Sequence, residues 1–185
     1  DLNFYDMRFR NEITPIGKLS YIGLPLRKNV EKSYRRGIEL TTHYKVSDEL
    51  SVHGGASYMD ARIEKYVNDE DSLVYENVSP LLSPNYMVNA GVDVQILKKL
   101  NSKVFYRFMS SSYLDNTSND QHQLSSYNAV DLSFTYSILK NLNAAFNINN
   151  VLDERFYNSG YVNFGSNAYF VAPERNFYLT LNWTI

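Results

Sequence analysis

The sequence predicts an all-β fold, an antiparallel up-and-down meander of about eight strands that forms part of a transmembrane β-barrel. Three features support this prediction. Apolar and polar residues alternate in successive segments, the connections between these segments alternate in length, and aromatic residues make up 15% of the chain, with 16 Tyr and 10 Phe. Because tyrosine is amphipathic, this excess favours strands and boundaries between apolar and wet surroundings over a dry helical core.

The last segment has the clearest alternation. From Phe177 to Ile185 every second residue is apolar, and the residues between them are Tyr, Thr or Asn. Side chains on a strand point alternately to its two faces, so this segment is a strand with one apolar face and one hydrogen-bonding face. The alternation alone does not decide whether the apolar face meets a protein core or lipid.

Seven further segments with the same alternation precede it. The first is crowded by Asp6, Arg8 and Arg10, and the third continues towards Tyr66. Their lengths are close to the roughly 9–11 residues with which a tilted strand crosses a bilayer. In chain order the segments are Asp1–Ile13, Tyr34–Val46, Leu50–Tyr58, Tyr86–Ile96, Lys103–Leu114, Val130–Ile138 and Leu142–Asn149.

The connections between the strands alternate between long and short. An up-and-down meander places all the short turns at one end of the sheet and all the long connections at the other, which is the arrangement of outer-membrane barrels. The short turns contain Ser47-Asp48, Lys98-Lys99 and Lys140-Asn141. The long connections are Thr14–Ser33, Val67–Ser83, Asp115–Ser126 and Val151–Val171.

Aromatic residues on the apolar face lie near both ends of the strands. Such belts are expected where amphipathic rings settle at lipid headgroups, whereas a soluble eight-stranded barrel would have an apolar interior and a polar exterior. The belts and the asymmetry of the connections therefore favour an apolar face that meets lipid. The predicted membrane-interface residues are Tyr44, Tyr136 and Trp183 at the short-turn end, and Tyr58, Tyr86 and Phe177 at the long-connection end.

Composition narrows the remaining classes. The formal net charge of -2 gives no argument for a nucleic-acid partner, and the absence of cysteine excludes disulfides and thiolate metal sites. No apolar run approaches the roughly 18 residues of a membrane helix. The composition does not shift along the chain, so residues 1–185 are expected to form a single domain.

Several stretches resemble the C-terminal part of the TonB-dependent receptor family. The most specific are Asn150-Val-Leu-Asp-Glu-Arg-Phe-Tyr157 and, before the last strand, Ala172-Pro-Glu-Arg175, and they are informative as a pair. The chain departs from the family pattern at Ile185, where an aromatic residue usually ends the last strand. The other matching stretches are Arg36–Leu40, Leu50–Arg62 and Ser83–Asn85.

The resemblance implies a transporter of the bacterial outer membrane that takes up an extracellular iron chelate, haem or cobalamin by binding and gated passage, without enzymatic chemistry and without a cofactor. It also implies a 22-stranded barrel around a plug. Eight strands would then be a fragment, with the remaining strands, the plug and the N-terminal segment that contacts TonB lying elsewhere in the protein. Outer-membrane lipid and an extracellular chelate are the other expected partners.

The fourth long connection holds the candidate ligand-binding residues. Its aromatic side chains could contact a planar or catecholate ligand, although packing of the loop on itself is the simpler interpretation. At the start of this connection, Asp153 is expected to cap a turn and Arg155 to pair with a carboxylate. The candidate ligand-binding residues are Tyr157, Tyr161, Phe164 and Tyr169.

The three histidines give no firm site. His43 and His53 are expected on the same polar face of adjacent strands, but two histidines without a carboxylate at fixed spacing are weak evidence, so no metal site is predicted. His122 lies in a segment rich in Asn and Ser and is expected to be solvated.

Three alternatives remain open from the residues alone. The chain could be a complete eight-stranded outer-membrane barrel that acts as an anchor or adhesin, because eight strands can close on a packed interior. It could be an outer-membrane hydrolase, although no serine or carboxylate partner for a histidine is visible from spacing. It could also be a soluble all-β binding module.

Overall fold

The computed structural model describes residues 1–69, 72–163 and 165–184. Phe164 and Ile185, both named above, lie outside the described residues. No helix in this part of the chain is long and apolar enough to cross a membrane. The strands it contains are β1 (Leu2–Leu19), β2 (Pro25–Lys45), β3 (Leu50–Val67), β4 (Val74–Val78), β5 (Tyr86–Leu97), β6 (Leu100–Met109), β7 (Ser112–Tyr113), β8 (Gln123–Leu124), β9 (Tyr127–Leu139), β10 (Leu142–Asn149), β11 (Tyr157–Asn163), β12 (Ser166–Val171) and β13 (Asn176–Trp183).

Eight of these strands form the predicted meander. Their order in the sheet is β1-β2-β3-β5-β6-β9-β10-β13, and each pair is antiparallel. The all-β, up-and-down prediction is therefore confirmed. Within the described residues, β1 and β13 occupy opposite edges of the sheet and do not pair with each other, so the eight strands do not close into a barrel by themselves.

The short turns lie where the sequence predicts them. The turn after β2 is closed by hydrogen bonds from the backbone N–H groups of Val46 and Ser47 to the carbonyl of Leu50. β5 and β6 are joined through Lys98-Lys99, and β9 and β10 through Lys140-Asn141. All three turns lie at one end of the meander, which we call the turn end; the opposite end is the loop end.

The first connection is shorter than predicted. The prediction of an irregular segment over Thr14–Ser33 is wrong, because β1 continues to Leu19 and β2 begins at Pro25. The register shifts between Pro15 and Leu19, and Gly17 has a φ of 78°. A β-bulge often contains a glycine in the left-handed conformation. An edge strand tolerates proline because a backbone N–H that faces away from the partner strand is not needed for pairing. The residues that suggested a loop are therefore part of a long hairpin.

The other long connections also contain short strands. β4 pairs with the end of β3, and β3 itself runs to Val67, in agreement with the expected continuation. β7 pairs with β8, and β11 pairs with β12 as a separate hairpin in the fourth connection. The strands that reach the loop end are therefore longer than a membrane crossing requires, and the connections fold against them.

Apolar burial is confined to the loop end. Val30, Ile63, Tyr66 and Val78 form the buried cluster, and Tyr75 and Ile16 pack against it. By contrast, Trp183 on β13 is 72% exposed and Leu181 is 65% exposed. The middle of the sheet is a single layer of strands, so its apolar face has no protein partner among the described residues.

Candidate functional site

The β11–β12 hairpin gathers most of the predicted ligand-binding aromatics. Tyr157 and Tyr169 stack with ring centroids 4.4 Å apart, and Tyr161 meets Phe170 at 6.0 Å. Tyr157 and Tyr169 each remain 38% exposed. The rings therefore pack on one another while keeping an exposed aromatic surface, and this geometry accommodates both interpretations of the loop.

A second aromatic element faces this hairpin. Tyr161 and Val162 line a pocket of about 480 Å³ together with residues at the tip of the β1–β2 hairpin, among them Tyr21 and Leu26. Tyr21 is completely exposed. The pocket has a mixed polar and apolar wall, which suits binding of an amphipathic molecule.

Asn116 ties the third connection to β1 and to the second connection. Its side chain is fully buried. The Oδ1 atom accepts a hydrogen bond from the backbone N–H of Leu81 at 2.8 Å, and the Nδ2 atom donates to the carbonyl of Pro15 at 2.9 Å. Since buried polar groups are costly unless they are paired, this residue fixes the third connection against β1 and against the second connection.

His122 is paired instead of solvated, so that expectation is wrong. Its Nδ1 lies 2.7 Å from Asp115 Oδ2, and the two side chains are only 18% and 14% exposed. Asp115 also accepts hydrogen bonds from the backbone N–H and the hydroxyl of Thr117. Within the described residues no hydroxyl is hydrogen-bonded to the His122 ring, so the pair does not extend into a nucleophilic triad.

A small cavity lies beside this pair. It has a volume of about 220 Å³ and is bounded by Tyr66, Tyr75, Thr117 and His122, with Ile16 of β1 on another side. Nearby, burial raises the pKa of the Tyr113 hydroxyl, and the hydrogen bond that this hydroxyl donates to Asp120 at 3.2 Å acts in the same direction. Val162 of the fourth connection also lines this cavity, so β1 and the second, third and fourth connections meet around it. Spacing in the sequence could not have indicated this feature.

The segment that follows β10 is held by Asn150. This residue is 4% exposed and has a φ of 52°. Its Nδ2 donates to the carbonyls of Glu154 and Pro173, and its Oδ1 accepts from the N–H of Glu154. The two stretches that carry the family resemblance are therefore joined by one buried amide.

Charged pairs reinforce the same junction. Arg155 Nε lies 2.9 Å from Glu174 Oε1, which confirms that it pairs with a carboxylate. Asp153 Oδ1 accepts a hydrogen bond from the backbone N–H of Arg175. Asp153 therefore connects its turn to the start of β13, and the junction is structural.

The polar face of the sheet carries a ladder of paired charges. His43 and His53 are directly opposite on β2 and β3, with ring centroids 6.4 Å apart, and His53 also stacks with Phe105. Asp93 Oδ1 lies 2.7 Å from Lys103 Nζ, while its other oxygen lies 3.3 Å from His53 Nδ1. In the part of the chain that the structure describes, no three potential ligand side chains are grouped to hold a metal ion.

The apolar face is continuous from β2 to β13. Because directly opposed residues share a face, the register defines rows that run from strand to strand. One row crosses from β2 to β13 and contains only large apolar or aromatic side chains. Its members are Tyr44, Val52, Val92, Val104, Leu132, Ile148 and Phe177.

The offsets of the six predicted interface residues from this row, counted along their strands, change regularly across the sheet. On β3, Tyr58 lies six residues from Val52 towards the loop end and opposes Tyr86, with ring centroids 5.0 Å apart. On β13, Trp183 lies six residues from Phe177 towards the turn end. Tyr136 on β9 lies four residues from the row, in the same direction as Trp183. Relative to this row, both sets of aromatics therefore shift progressively towards the turn end from β2 to β13.

The two slopes correspond to a single strand tilt. At ~3.3 Å per residue and ~4.8 Å between strands, the loop-end set from Tyr58 to Phe177 slopes by about 40°. The turn-end set from Tyr44 to Trp183 slopes by about 35° in the same direction. If both sets are parallel to a membrane plane, the strands are tilted by these angles, which match the roughly 35–45° of outer-membrane barrels.

The model of the protein family described as "TonB dependent receptor-like, beta-barrel" matches residues 1–151 of the chain. The chain belongs to this family. The all-β antiparallel meander agrees with the barrel fold that this description names, and within the described residues its eight strands do not close by themselves.

Solved structures of other TonB-dependent receptors share the fold. The chain aligns with the siderophore receptor PiuA of Acinetobacter baumannii at a TM-score of 0.76 and 20% identity, over 98% of this chain and 25% of that one. It aligns with the ferric yersiniabactin uptake receptor FyuA of Yersinia pestis at 0.76 and 17%, over 98% and 26%. For the closed form of the ferric-catecholate import receptor Fiu of E. coli K12 the values are 0.72 and 18%, over 98% and 24%. The chain thus spans about a quarter of the length of these receptors.

Proposed function

We propose that residues 1–185 form one continuous sector of the barrel wall of an outer-membrane transporter that takes up an extracellular chelate, such as a ferric siderophore, haem or cobalamin. The observation that carries this proposal is the pair of sloping aromatic sets on the apolar face, because one strand tilt accounts for both. Under this proposal, Tyr44, Tyr136 and Trp183 lie at the periplasmic interface, and Tyr58, Tyr86 and Phe177 at the outer one. Lipid of the outer membrane then covers the exposed apolar face.

The polar face is proposed to line the barrel interior and to contact the plug. The pairs Asp93–Lys103 and Arg107–Asp131, the latter 2.8 Å apart, place alternating charges on this face. A folded domain that must be held and then released needs polar contacts of this kind, because a continuous apolar contact would be harder to open. Energy from TonB would reach the plug through a segment that lies outside this chain.

Ligand capture is proposed at the loop end. The exposed surfaces of Tyr157 and Tyr169, together with Tyr161 in its pocket, offer aromatic contact to a planar or catecholate ligand. Phe164 belongs to the same proposal. The neighbouring solved structures are receptors for siderophores and a ferric catecholate, which supports an iron chelate as the first ligand class to test.

The test is uptake by cells that carry or lack the protein. A deletion strain complemented with the full-length gene is offered radiolabelled iron as a catecholate chelate, as haem, or radiolabelled cobalamin. The proposal expects uptake of one class that disappears in the deletion strain and in a strain lacking TonB. A protein found in the soluble fraction would contradict the location, and unaltered uptake of every class would contradict the ligand proposal.

The loop aromatics need a separate variant. Replacing Tyr157 and Tyr169 together by Leu removes the aromatic surface but retains apolar packing. We expect weaker binding of the transported chelate with normal insertion of the receptor into the membrane. Unchanged affinity would show that these rings only pack on each other.

A further inference from the structure

The outward face of β1, β2 and β3 carries a cluster of charged side chains directly beyond the loop-end aromatics. Phe4, Ile38, Tyr58 and Tyr86 form one row on the apolar face, with Phe4 opposite Ile38 and Ile38 opposite Tyr58. Every second residue beyond this row belongs to the same face. In the first three rows beyond it, the charged residues are Asp6, Arg8, Arg10, Lys32, Arg36, Asp60, Arg62 and Glu64.

The cluster is arranged in rows of its own. In the first row Arg36 opposes both Asp6 and Asp60, and its guanidinium lies 2.8 Å from Asp60 Oδ2. In the second row Arg8 and Arg62 flank Tyr34. In the third row Arg10 opposes Lys32, whose Nζ is 3.9 Å from Glu64.

The depth of these rows matches the headgroup layer. Successive rows lie two residues apart, so they begin ~7, ~13 and ~20 Å along the strand from the aromatic row. On β3, where Tyr58 marks the edge of the apolar region, a tilt of about 40° reduces these distances to heights of roughly 5, 10 and 15 Å. Because the rows themselves slope, each row lies about 3 Å lower on β2 and about 6 Å lower on β1. The polar layer of a membrane is about 5–7 Å thick on each side, so the first two rows lie at or just above the headgroups.

The cluster has an excess of positive charge. It contains five cations and three carboxylates. Arg8, Arg10, Lys32 and Arg36 are exposed, and Arg10 has no ion-pair partner within the described residues. These four cations also line a groove of about 650 Å³ together with Asp6 and Glu64. Arginine and lysine side chains that converge on a groove can surround a phosphate group from several sides.

The same level elsewhere on the sheet lacks this feature. On β6 and β9 the corresponding outward positions are Ser110 and Asn128, which carry no charge. On β13 the corresponding residue is Arg175, whose guanidinium is 3.3 Å from Asp153. The charge is therefore concentrated in one sector. Since an outward face of a barrel wall points away from the plug and the interior, neither of these can cover the cluster.

From these observations we infer that the outward cluster on β1–β3 binds the phosphorylated headgroup of a glycolipid in the outer leaflet. This inference rests on the proposed membrane location and adds a lipid-binding site that is distinct from the loop-end pocket. The apolar row below the cluster, Phe4 to Tyr86, would contact the acyl chains of the same lipid. The carboxylates in the cluster hold the arginine side chains in position. They also reduce the nonspecific attraction of other anions to the site.

The experiment measures lipid retained by the full-length receptor in nanodiscs. Diphosphorylated lipid A with a fluorescent label is the probe, and the same lipid with its phosphates removed is the second arm. The variant combines Arg10→Gln, Lys32→Gln and Arg36→Gln. The matched control combines Lys98→Gln, Lys99→Gln and Lys140→Gln, which removes the same charge from exposed residues at the turn end.

The inference expects a specific loss. With about one kcal/mol per basic residue near an anionic surface, three substitutions reduce affinity on the order of 100-fold, whereas the control changes it by less than about threefold. The dephosphorylated lipid should bind the native receptor as weakly as the diphosphorylated lipid binds the variant. Inorganic phosphate at millimolar concentration should not displace the probe.

Several results would overturn it. Equal retention by the variant and the native receptor removes the site, and an equal loss in the control shows a general charge effect. Displacement by inorganic phosphate would indicate a site for free phosphate instead of lipid. In each of these cases an inserted receptor that still transports its chelate leaves the proposed function intact. Absence of the native receptor from the outer membrane would overturn both proposals.

Discussion

Replacing the buried Asn150 by Ala should strongly destabilise the junction between β10 and β13. The side chain makes three hydrogen bonds, at 2.9, 3.3 and 3.1 Å, to Glu154 and Pro173. Each buried hydrogen bond contributes roughly 0.5–1.5 kcal/mol, and Ala in a left-handed conformation adds about 1–2 kcal/mol. With a φ of 52° in the native chain, the expected cost is about 2.5–6.5 kcal/mol.

Two matched variants separate the contributions. Asn150→Gly loses the same hydrogen bonds but tolerates the backbone conformation, so it should be about 1–2 kcal/mol more stable than Asn150→Ala. Asn150→Asp retains an acceptor for the Glu154 N–H and loses both donated hydrogen bonds. Because a buried carboxylate oxygen would then face the carbonyls of Glu154 and Pro173, its cost should exceed that of Asn150→Gly.

The measurement is unfolding of the full-length receptor in phosphatidylcholine vesicles by guanidinium chloride. The folded fraction is read from the heat-dependent shift in electrophoretic mobility, and free energies come from linear extrapolation. If Asn150→Ala unfolds within about 0.5 kcal/mol of the native protein, the junction does not have the structural role assigned to it. If Asn150→Gly is less stable than Asn150→Ala, the conformational part of the reasoning is wrong.

Three further predictions test the faces and the loop end. Leu181→Lys should cost roughly 2–4 kcal/mol in vesicles, because Leu181 lies between the two aromatic sets, whereas Asn182→Lys on the opposite face should cost less than about 1 kcal/mol; equal costs would contradict the assigned facing. Gly17→Ala should increase proteolysis of the third connection, since a Cβ there would lie 2.4 Å from the carbonyl oxygen of Leu114 and the φ of 78° disfavours Ala; an unchanged cleavage pattern would refute this contact. His122→Ala should speed hydrogen exchange at Thr117, because Asp115 loses its partner; protection equal to the native level would show that the pair does not order the connection.

Much of the fold could be predicted because the middle of the sheet is one layer thick. Each strand there has a different environment on each of its two faces, so apolar and polar residues alternate along its sequence with period 2. β10 was predicted over Leu142–Asn149 and has those bounds, and β3 begins at Leu50 as expected. Turns of two polar residues between such strands leave little freedom in where a strand ends.

Beyond the aromatic sets, the alternation of apolar and polar residues is a weaker guide to the strands. The long connections contact other protein segments on several sides, so their strands need not alternate. Pro15 and Gly17 are equally compatible with a loop and with a bulged edge strand, and only the packing against Leu114 and Asn116 distinguishes the two. The prediction of a loop was wrong because it used local sequence alone.

The loop-end site was predicted in its composition and not in its contacts. Aromatic residues in the fourth connection were identified as candidates, but the stacking of Tyr157 on Tyr169 depends on the register of a hairpin that has no alternating pattern. The pairing of His122 with Asp115 joins residues within one polar segment, where many partners are equally plausible. Electrostatic contacts of this kind are fixed by tertiary packing, which a single sequence does not encode in its periodicity.

The position of the charged cluster also accounts for the charged residues within the first strand. Asp6, Arg8 and Arg10 interrupt an apolar face that starts with Leu2 and Phe4, which would be an error in a strand that crosses a bilayer throughout. The register removes the conflict, because these residues oppose Arg36, Tyr34 and Lys32 beyond the aromatic row. Under the proposed membrane location, the point at which charge begins on β1 marks where the strand leaves the apolar layer. A strand that continues for several more residues beyond this point would then exchange lipid contacts for contacts with headgroups and protein.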